Sequence, residues 1–315
     1  MTGILHVVKP GLQTTVQDLG RVGHQAAGVP VAGPMDVFSH RLANQLVGNP
    51  PGAATLEITL MGPELQIEAD TTMAVAGAEF DIVCDQRMVA VGSSFGVSRG
   101  QRLRFGRRLK GARAYLAVTG GIATPPVLGS RATHLVSHMG GLDGRALVAG
   151  DRLPVASGPS ACPPRKSMGL TLPTGGRARL RILPGPQVEW FRPEAWRVLT
   201  GGAFRISPMS NRMGYRLEGS SLPRLLDDEL ISQAVCFGSV QVPAAGLPIL
   251  LMADRQTTGG YPKVAEVISA DLPLAAQLAP GEFIEFVMCS RADAVAALIA
   301  RERQWLRLQD LRGPA

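Results

Sequence analysis

Apolar residues recur along most of this chain in short runs separated by glycine and proline, not in long helical stripes. Residues 65–67, 72–75, 103–105, 114–118, 179–183, 240–242, 248–252, 264–268 and 283–287 read as β-strands. Several alternate apolar and polar positions with Gly or Pro at their ends. Short strands at such spacing predict a sandwich or barrel. Helical periodicity is confined to three places. In residues 35–47, Phe38, Leu42 and Leu46 recur every four positions, with Ala43 and Val47 beside them. Gly48 stands where a C-terminal cap belongs, and Pro50-Pro51 prevents continuation. Pro193 opens a short helix through Leu199. Beyond Ser290 the chain turns amphipathic, with Leu298, Ile299, Trp305, Leu306 and Leu308 as its apolar members, and packing on its own domain is expected, with a partner surface as the alternative. Ser290 and Asp293 there have capping-box spacing.

Composition fits this picture. The 315 residues include 37 Gly and 24 Pro, which favour turns over long helices, and a 45% hydrophobic content builds a large core and excludes disorder. The stretch 157–176, SGPSACPPRKSMGLTLPTGG, is rich in Ser, Pro and Gly and contains no acid. It divides the chain into an N-terminal β-rich lobe (1–156), a linker or long loop (157–176), a C-terminal β-barrel lobe (177–289) and an amphipathic helix (290–315). No charged leader precedes an apolar core at the N-terminus, and the apolar stretch 242–253 is broken by Pro243, Gly246 and Pro248, so neither a secretory signal nor a membrane span is expected. The four cysteines are far apart with no CxxC, which argues against structural zinc and fits reduced thiols in a cytoplasmic protein.

The formal net charge is +7, and residues 99–113 supply the whole excess, with seven cations and no acid. With aromatics at 5% and the rest of the chain neutral, nucleic acid is not an expected partner. The basic segment predicts a hairpin with Leu103 and Phe105 inward and Arg102 and Arg104 outward, either a solvated face or a surface for an acidic partner. Only four of the 32 cations are lysines: Lys9, Lys110, Lys166 and Lys263.

Several apparent motifs lack the context their chemistry needs. Gly92-Ser93-Ser94-Phe95-Gly96 matches GxSxG, but another strand-like run follows where a nucleophile elbow requires a helix, so it reads as a polar turn. His134 and His138 are four apart, yet Gly140-Gly141 follows at once and no nearby acid completes a metal triad. Neither GxxxxGK[ST] nor GxGxxG occurs, and no Ala-Met-Lys-Met biotin-attachment sequence is present.

Four segments hold more polar, Gly-punctuated residues than folding requires. Thr14-Thr15-Val16-Gln17-Asp18-Leu19-Gly20-Arg21 is soon followed by Gly33-Pro34-Met35-Asp36. On the first helix Asp36, His40 and Asn44 form a polar ridge, ahead of Gly48-Asn49 and Leu56-Glu57. The third is Ser210-Asn211-Arg212-Met213-Gly214-Tyr215-Arg216-Leu217. In the fourth, the apolar strand 248–252 runs into Asp254-Arg255-Gln256-Thr257-Thr258-Gly259-Gly260-Tyr261-Pro262-Lys263. There Gly259-Gly260 permits close approach of backbone to a ligand, and a polar burst at a strand end presents binding groups rigidly. A hydrogen-bonded turn with a surface ion pair is the competing reading.

These segments carry a resemblance. TTVQDLGR, GVPVAGPMD, LANQLVGN, SNRMGYRLEG and GSVQVPAAGLPILLMADRQTTGGYPKVAEVISADL resemble the biotin-dependent carboxyltransferase family. This is the family of allophanate hydrolase subunit 2 proteins, KipA and the carboxyltransferase domain of urea carboxylase. The match runs from about residue 11 to residue 286 and is most similar to the 5-oxoprolinase type among stand-alone bacterial members. It implies a mainly β, cyclophilin-like barrel architecture in two lobes. It also implies a subunit of an ATP-dependent complex that opens the lactam of 5-oxoproline to L-glutamate, active only with partners: an allophanate hydrolase subunit 1-like (KipI-like) subunit and a LamB/YcsF-like subunit. ATP acts at the level of the complex, its site not located in this chain. The alternatives are transfer of a carboxyl group from carboxybiotin to urea or a similar amide, the only reading that involves biotin, and a KipA-like regulatory binding role.

All the enzymatic readings handle an amide-like group that resonance makes a poor electrophile and a poor nucleophile, so a site must stabilise charge on its oxygen or move a proton at its nitrogen. Asp254 is the candidate proton acceptor or amide N–H binder, and Lys263 the point charge for a developing oxyanion. Arg212 or Arg255 is placed to grip a carboxylate bidentately. Gln241, Gln256, Thr257 and Tyr261 are the orienting groups, and Asp36 and Asn44 are candidates from the first lobe. No metal is called for.

Overall fold

Strand-forming runs dominate both halves of the chain, and they build a nine-stranded sheet, a closed barrel and a two-stranded ribbon. The computed structural model describes residues 3–158, 165, 167, 169, 171–226 and 230–310. Two compact units result, one from Met1–His24 and Val31–Leu172, the other from Gln25–Pro30 and Pro173–Ala315. Much of the expected linker, with Cys162 and Lys166, lies outside the described residues. No described helix is long and apolar enough to cross a membrane.

The first unit is a nine-stranded sheet. Its strands are β1 (Gly3–Lys9), β2 (Gln13–Gln17), β3 (Thr55–Thr59), β4 (Glu64–Ile67), β5 (Thr71–Cys84), β6 (Arg87–Val89), β7 (Ser94–Val97), β8 (Arg102–Val118) and β9 (Arg152–Val155). The order is β2-β3-β8-β4-β1-β9, and β5 pairs with β6, β7 and β8. Leu5, Val7, Leu56, Ile58, Leu65, Ile82 and Leu116 fill its core. Helix α1 (Val37–Leu46) packs on β5 and β8. Asp36 is its N-cap, accepting from the Ser39 N–H, and Gly48 follows its end at φ 79°.

The basic segment is not a hairpin of its own. It is the first part of the single long strand β8, whose antiparallel partner is β5. Leu103 and Phe105 do face inward, and Arg102 and Arg104 are exposed. Two predicted strands fuse because residues 112–118 are buried on both faces, continuing the same ladder. Register shifts around Glu79 and Phe80 absorb the irregular middle, where Gly111 adopts φ 75°. The GxSxG run is a turn into β7, with Ser93 Oγ donating to the Ala90 carbonyl at 2.8 Å.

The second unit is a closed seven-stranded barrel, confirming the mainly β reading. In chain order its strands are β10 (Arg177–Pro184), β11 (Ala203–Ile206), β12 (Gly214–Glu218), the short β13 (Gln233–Ala234), β14 (Ser239–Gln241), β15 (Ile249–Leu251), the short β16 (Thr258–Gly259), β17 (Lys263–Val267) and β18 (Phe283–Met288). The barrel order is β10-β17-β14-β15-β12-β11-β18, closed by the parallel pair β10–β18. Strands β13 and β16 form a separate two-stranded ribbon. Alternation holds around the wall: Tyr215, Leu217, Val240 and Leu250 are buried, whereas Arg216 and Glu218 between or beside them are exposed.

Helices α2 (Pro193–Gly201), α3 (Leu272–Ala276) and α4 (Arg291–Asp310) complete this unit. The capping box of α4 forms as its spacing predicts, with reciprocal Ser290–Asp293 bonds of 3.0 and 3.1 Å. Its apolar stripe does not bury as expected. Trp305 is buried and Arg301 donates to the Ala270 carbonyl, but Leu298, Ile299 and Leu306 stay exposed. Ile299 and Leu306 lie roughly 100–120° around the helix from Trp305, off the packed face. Leu298 is two turns before Trp305 on that face, but it borders an open cleft with Phe237 and Val267.

Candidate functional site

The ladder β12–β15–β14 presents its outer face as the floor of a cavity of about 190 Å³, lined by Gly214, Arg216, Gln241, Ile249, Gln256 and Tyr261 among others. The floor follows from register: Gly214 pairs with Leu251, Arg216 with Ile249, and Ile249 in turn with Gln241. A side chain on Gly214 would meet Ile249 Cγ2 at 3.1 Å, so the glycine keeps the floor open. This volume is below that of drug-sized pockets and suits one small, metabolite-sized molecule.

Two amides form the polar wall. Gln241 is buried, and its Nε2 donates to the Tyr261 carbonyl at 3.3 Å. Gln256 Nε2 donates to Gln241 Oε1 at 3.4 Å. Both pack over Gly259 on the β13–β16 ribbon, where a Cβ would approach Gln241 Nε2 to 2.7 Å and Gln256 Nε2 to 3.1 Å. A side chain here would push the ends of both amides aside. Tyr261 stands at the rim, about half exposed.

The charged candidates do not line the cavity. Arg212 and Asp254 are 3% and 2% exposed and form a bidentate pair, with Nε to Oδ2 and Nη2 to Oδ1 both at 2.9 Å. The carboxylate that Arg212 grips is therefore Asp254's own, and gripping a ligand would require breaking that pair. Backbone bonds from Asp254 N to Arg212 O and from Met252 N to Met213 O tie the two segments beside the floor. Lys263 is also buried. Its Nζ donates to Gln233 Oε1 and to the Ala234 carbonyl, both at 3.3 Å, and its backbone N–H donates to Gln187 Oε1. Lys263 is the Cα partner of Gln241 across β14–β17, so its charge sits one strand from the amide wall. Arg255 lies 5.7 Å over the Phe237 ring, and the Thr257 carbonyl accepts from Val235.

Asp36 and Asn44 belong to the first unit, and both are fully buried, as is His40. The expected ridge is an internal one. Both Asp36 oxygens accept from Ser39, and Asn44 bonds the Ala53 carbonyl and Asn49. The neighbouring polar residues serve the same end. Glu57 accepts from Met35 N and from Tyr115 Oη, which itself accepts from Asp36 N, so a carboxylate and a phenol pin the start of α1. Burial, and then the Glu57 charge, hold the Tyr115 phenol well above its ordinary range. Burial lowers His40 to about 4, keeping it neutral. Asp18 fixes the turn of the first polar segment by accepting from Gly20, Ser130 and Arg131.

The structure thus gathers Gln241, Gln256 and Tyr261 around the cavity and places the other candidates elsewhere. Sequence reasoning missed Arg216, Gln187 and Gln233. Strand alternation in Tyr215-Arg216-Leu217 is the signal that sends Arg216 outward. It also missed Glu266, whose carboxylate burial raises above the ordinary range while Ser239 Oγ lies 2.9 Å from each oxygen.

Comparison with known proteins adds a second line. A family model for the carboxyltransferase domain, subdomain A and B, matches residues 27–288. A 5-oxoprolinase subunit of Escherichia coli is 42% identical over 305 residues, 97% of each chain. The crystal structure of K. lactis urea amidolyase superposes with a TM-score of 0.89 at 30% identity, covering 99% of this chain and 20% of that one. TTHA0988 superposes with a TM-score of 0.81 at 39% identity, and this chain spans 55% of its length.

Proposed function

The chain belongs to the carboxyltransferase-domain family, and from that membership we propose that it is the amide-binding subunit of a 5-oxoprolinase complex. The complex opens the lactam of 5-oxoproline to L-glutamate. ATP hydrolysis drives the reaction, with ATP held by partner subunits of the KipI-like and LamB/YcsF-like kinds. The observation that carries this reading is the 42% identity with the E. coli 5-oxoprolinase subunit across 97% of both chains.

The chemistry of the cavity supports it. A lactam presents one N–H donor and one carbonyl acceptor, and the side-chain amides of Gln241 and Gln256 offer the complementary acceptor and donor. Lys263 contributes a fixed positive charge behind that wall, favouring negative charge that develops on a bound carbonyl oxygen. Asp254 and Arg212 act as positioning residues that hold Met213 and Gly214 in the floor.

The likeness to K. lactis urea amidolyase over 99% of this chain favours a second reading, carboxyl transfer from carboxybiotin to urea or a similar amide. It requires a biotin carrier and a biotin carboxylase as partners. The two separate in one assay: ADP release by the full chain mixed with its candidate partners, with 5-oxoproline or urea as substrate. ADP release and glutamate formation that depend on 5-oxoproline and on this chain are expected. Turnover with urea and biotinylated carrier, and none with 5-oxoproline, would overturn the first reading in favour of the second.

A further inference from the structure

We infer that Arg216, on β12, is the residue of the cavity that binds the carboxylate of the lactam substrate. The inference deepens the functional reading above and rests on it.

Four cations lie on the segments that build the site, and Lys263 among them is held by Gln233 Oε1 and the Ala234 carbonyl. Arg212 is committed to Asp254, and Arg255 is directed to the Val235 carbonyl and the Phe237 ring. Arg216 differs. Its neighbours Tyr215 and Leu217 are buried in the barrel, so strand geometry sends its side chain to the outer face, where it lines the cavity. Its backbone is fixed on both sides: the N–H donates to Ser210 Oγ at 3.0 Å, and the carbonyl accepts from Ser207 N at 2.9 Å. Its guanidinium has no hydrogen bond or ion pair to any described residue. An arginine with its backbone fixed and its guanidinium without an internal partner, on the floor of the cavity, is matched by a planar carboxylate, which it can hold through two parallel N–H bonds.

The rest of the lining fixes what carries that carboxylate. Ile249, Leu251 and Met213 give an apolar surface for ring methylenes, and Gln241 and Gln256 face an amide. A cationic element, an apolar floor and an amide wall within about 190 Å³ fit a lactam acid. Urea has neither the methylenes nor the carboxylate, and 2-pyrrolidinone lacks only the carboxylate.

The test titrates the full chain with 5-oxoproline, 2-pyrrolidinone and urea by calorimetry. Wild-type protein is expected to prefer 5-oxoproline to 2-pyrrolidinone by about tenfold to a hundredfold, the range of a charged hydrogen bond. Arg216→Gln should abolish that preference while leaving 2-pyrrolidinone binding within about twofold, and Arg216→Lys should restore part of it. The two variants change an exposed position, so folding is checked by an unchanged thermal transition. Equal affinity of wild-type protein for the two lactams, no binding of 5-oxoproline, or an unchanged preference in Arg216→Gln would each overturn the assignment. These outcomes are separate from the functional reading. If the assembled complex turns over 5-oxoproline while Arg216→Gln keeps wild-type KM, the function stands and the role of Arg216 falls. If the complex is inert towards 5-oxoproline, the function falls whatever Arg216 binds.

Discussion

Replacing Asp254 by Asn should destabilise the second unit by about 3 kcal/mol, the lower end of the cost of breaking a buried ion pair. The figure follows from geometry. Both partners are at most 3% exposed, and two N–H···O bonds of 2.9 Å join them. Asparagine keeps the shape, but its NH₂ turns a donor toward a guanidinium donor, so at most one of the two bonds survives and the Arg212 charge is left buried without its counter-charge. All three tryptophans, Trp190, Trp196 and Trp305, belong to the second unit, so their fluorescence follows its unfolding in urea or on heating. A loss of about 3 kcal/mol corresponds to a fall of about 6–12 °C for a unit of this size. The apolar double variant Arg212→Met/Asp254→Leu should recover most of it, because neither charge then needs a partner. The reasoning fails if Asp254→Asn costs under about 1 kcal/mol, or if the double variant costs the sum of the two single ones within about 0.5 kcal/mol, the scatter of independent sites.

Two further outcomes are expected. Gly259→Ala forces a Cβ to 2.7 Å from Gln241 Nε2, so the amide wall must shift; KM for 5-oxoproline in the assembled complex should rise about tenfold with little change in thermal stability, whereas unchanged KM would detach these amides from the site. His40 stays neutral in the fold down to about 4 against an ordinary 6.5, so its contribution is complete above pH 6.5 and is lost as pH falls toward 4. The gap corresponds to about 3 kcal/mol of acid destabilisation, which His40→Gln should flatten in a pH series of urea unfolding; an imidazole resonance titrating near 6.5 would contradict it.

The strands that were legible in the sequence are those with apolar runs or clean alternation, such as β4, β15, β17 and β18. Those that were not have a common cause. Strand β2, Gln13–Gln17, reads QTTVQ, yet all but its first residue are buried in the sheet. Most of its polar atoms are satisfied inside: Thr14 Oγ1 donates to the Pro10 carbonyl, and Gln17 Nε2 donates to Thr15 Oγ1 and to the Thr133 carbonyl, while Gln17 Oε1 bonds no described residue. A strand stabilised by tertiary hydrogen bonds leaves no hydrophobic period to read. Strand β12 was hidden inside a segment picked out for its polarity, although that same alternation delivers Arg216 to the cavity. Helix α1, the glycine that ends it and the capping box of α4 were readable because capping is local chemistry, whereas the N-cap role of Asp36 was not read.

For the site, residue type was a poorer guide than the state of a residue's internal bonds. Asp36, Asn44 and Asp18 lie in motifs as distinctive as any in the chain. Each already makes several bonds of 2.5–3.0 Å to its own unit. A ligand could engage them only by displacing a bond of equal strength, which leaves no net gain. Arg212 and Asp254 satisfy each other in the same way. The bonds that hold Gln241 and Gln256 are 3.3 and 3.4 Å long, beyond the usual range for N–H···O, and the Arg216 guanidinium bonds no described residue. Exchanging such contacts for shorter ones to a ligand gains free energy, and the gain is largest where the unmet group is charged. The recognition proposed above therefore belongs on the weakly bonded face of the barrel. The strongly bonded polar residues behind it keep that face in shape.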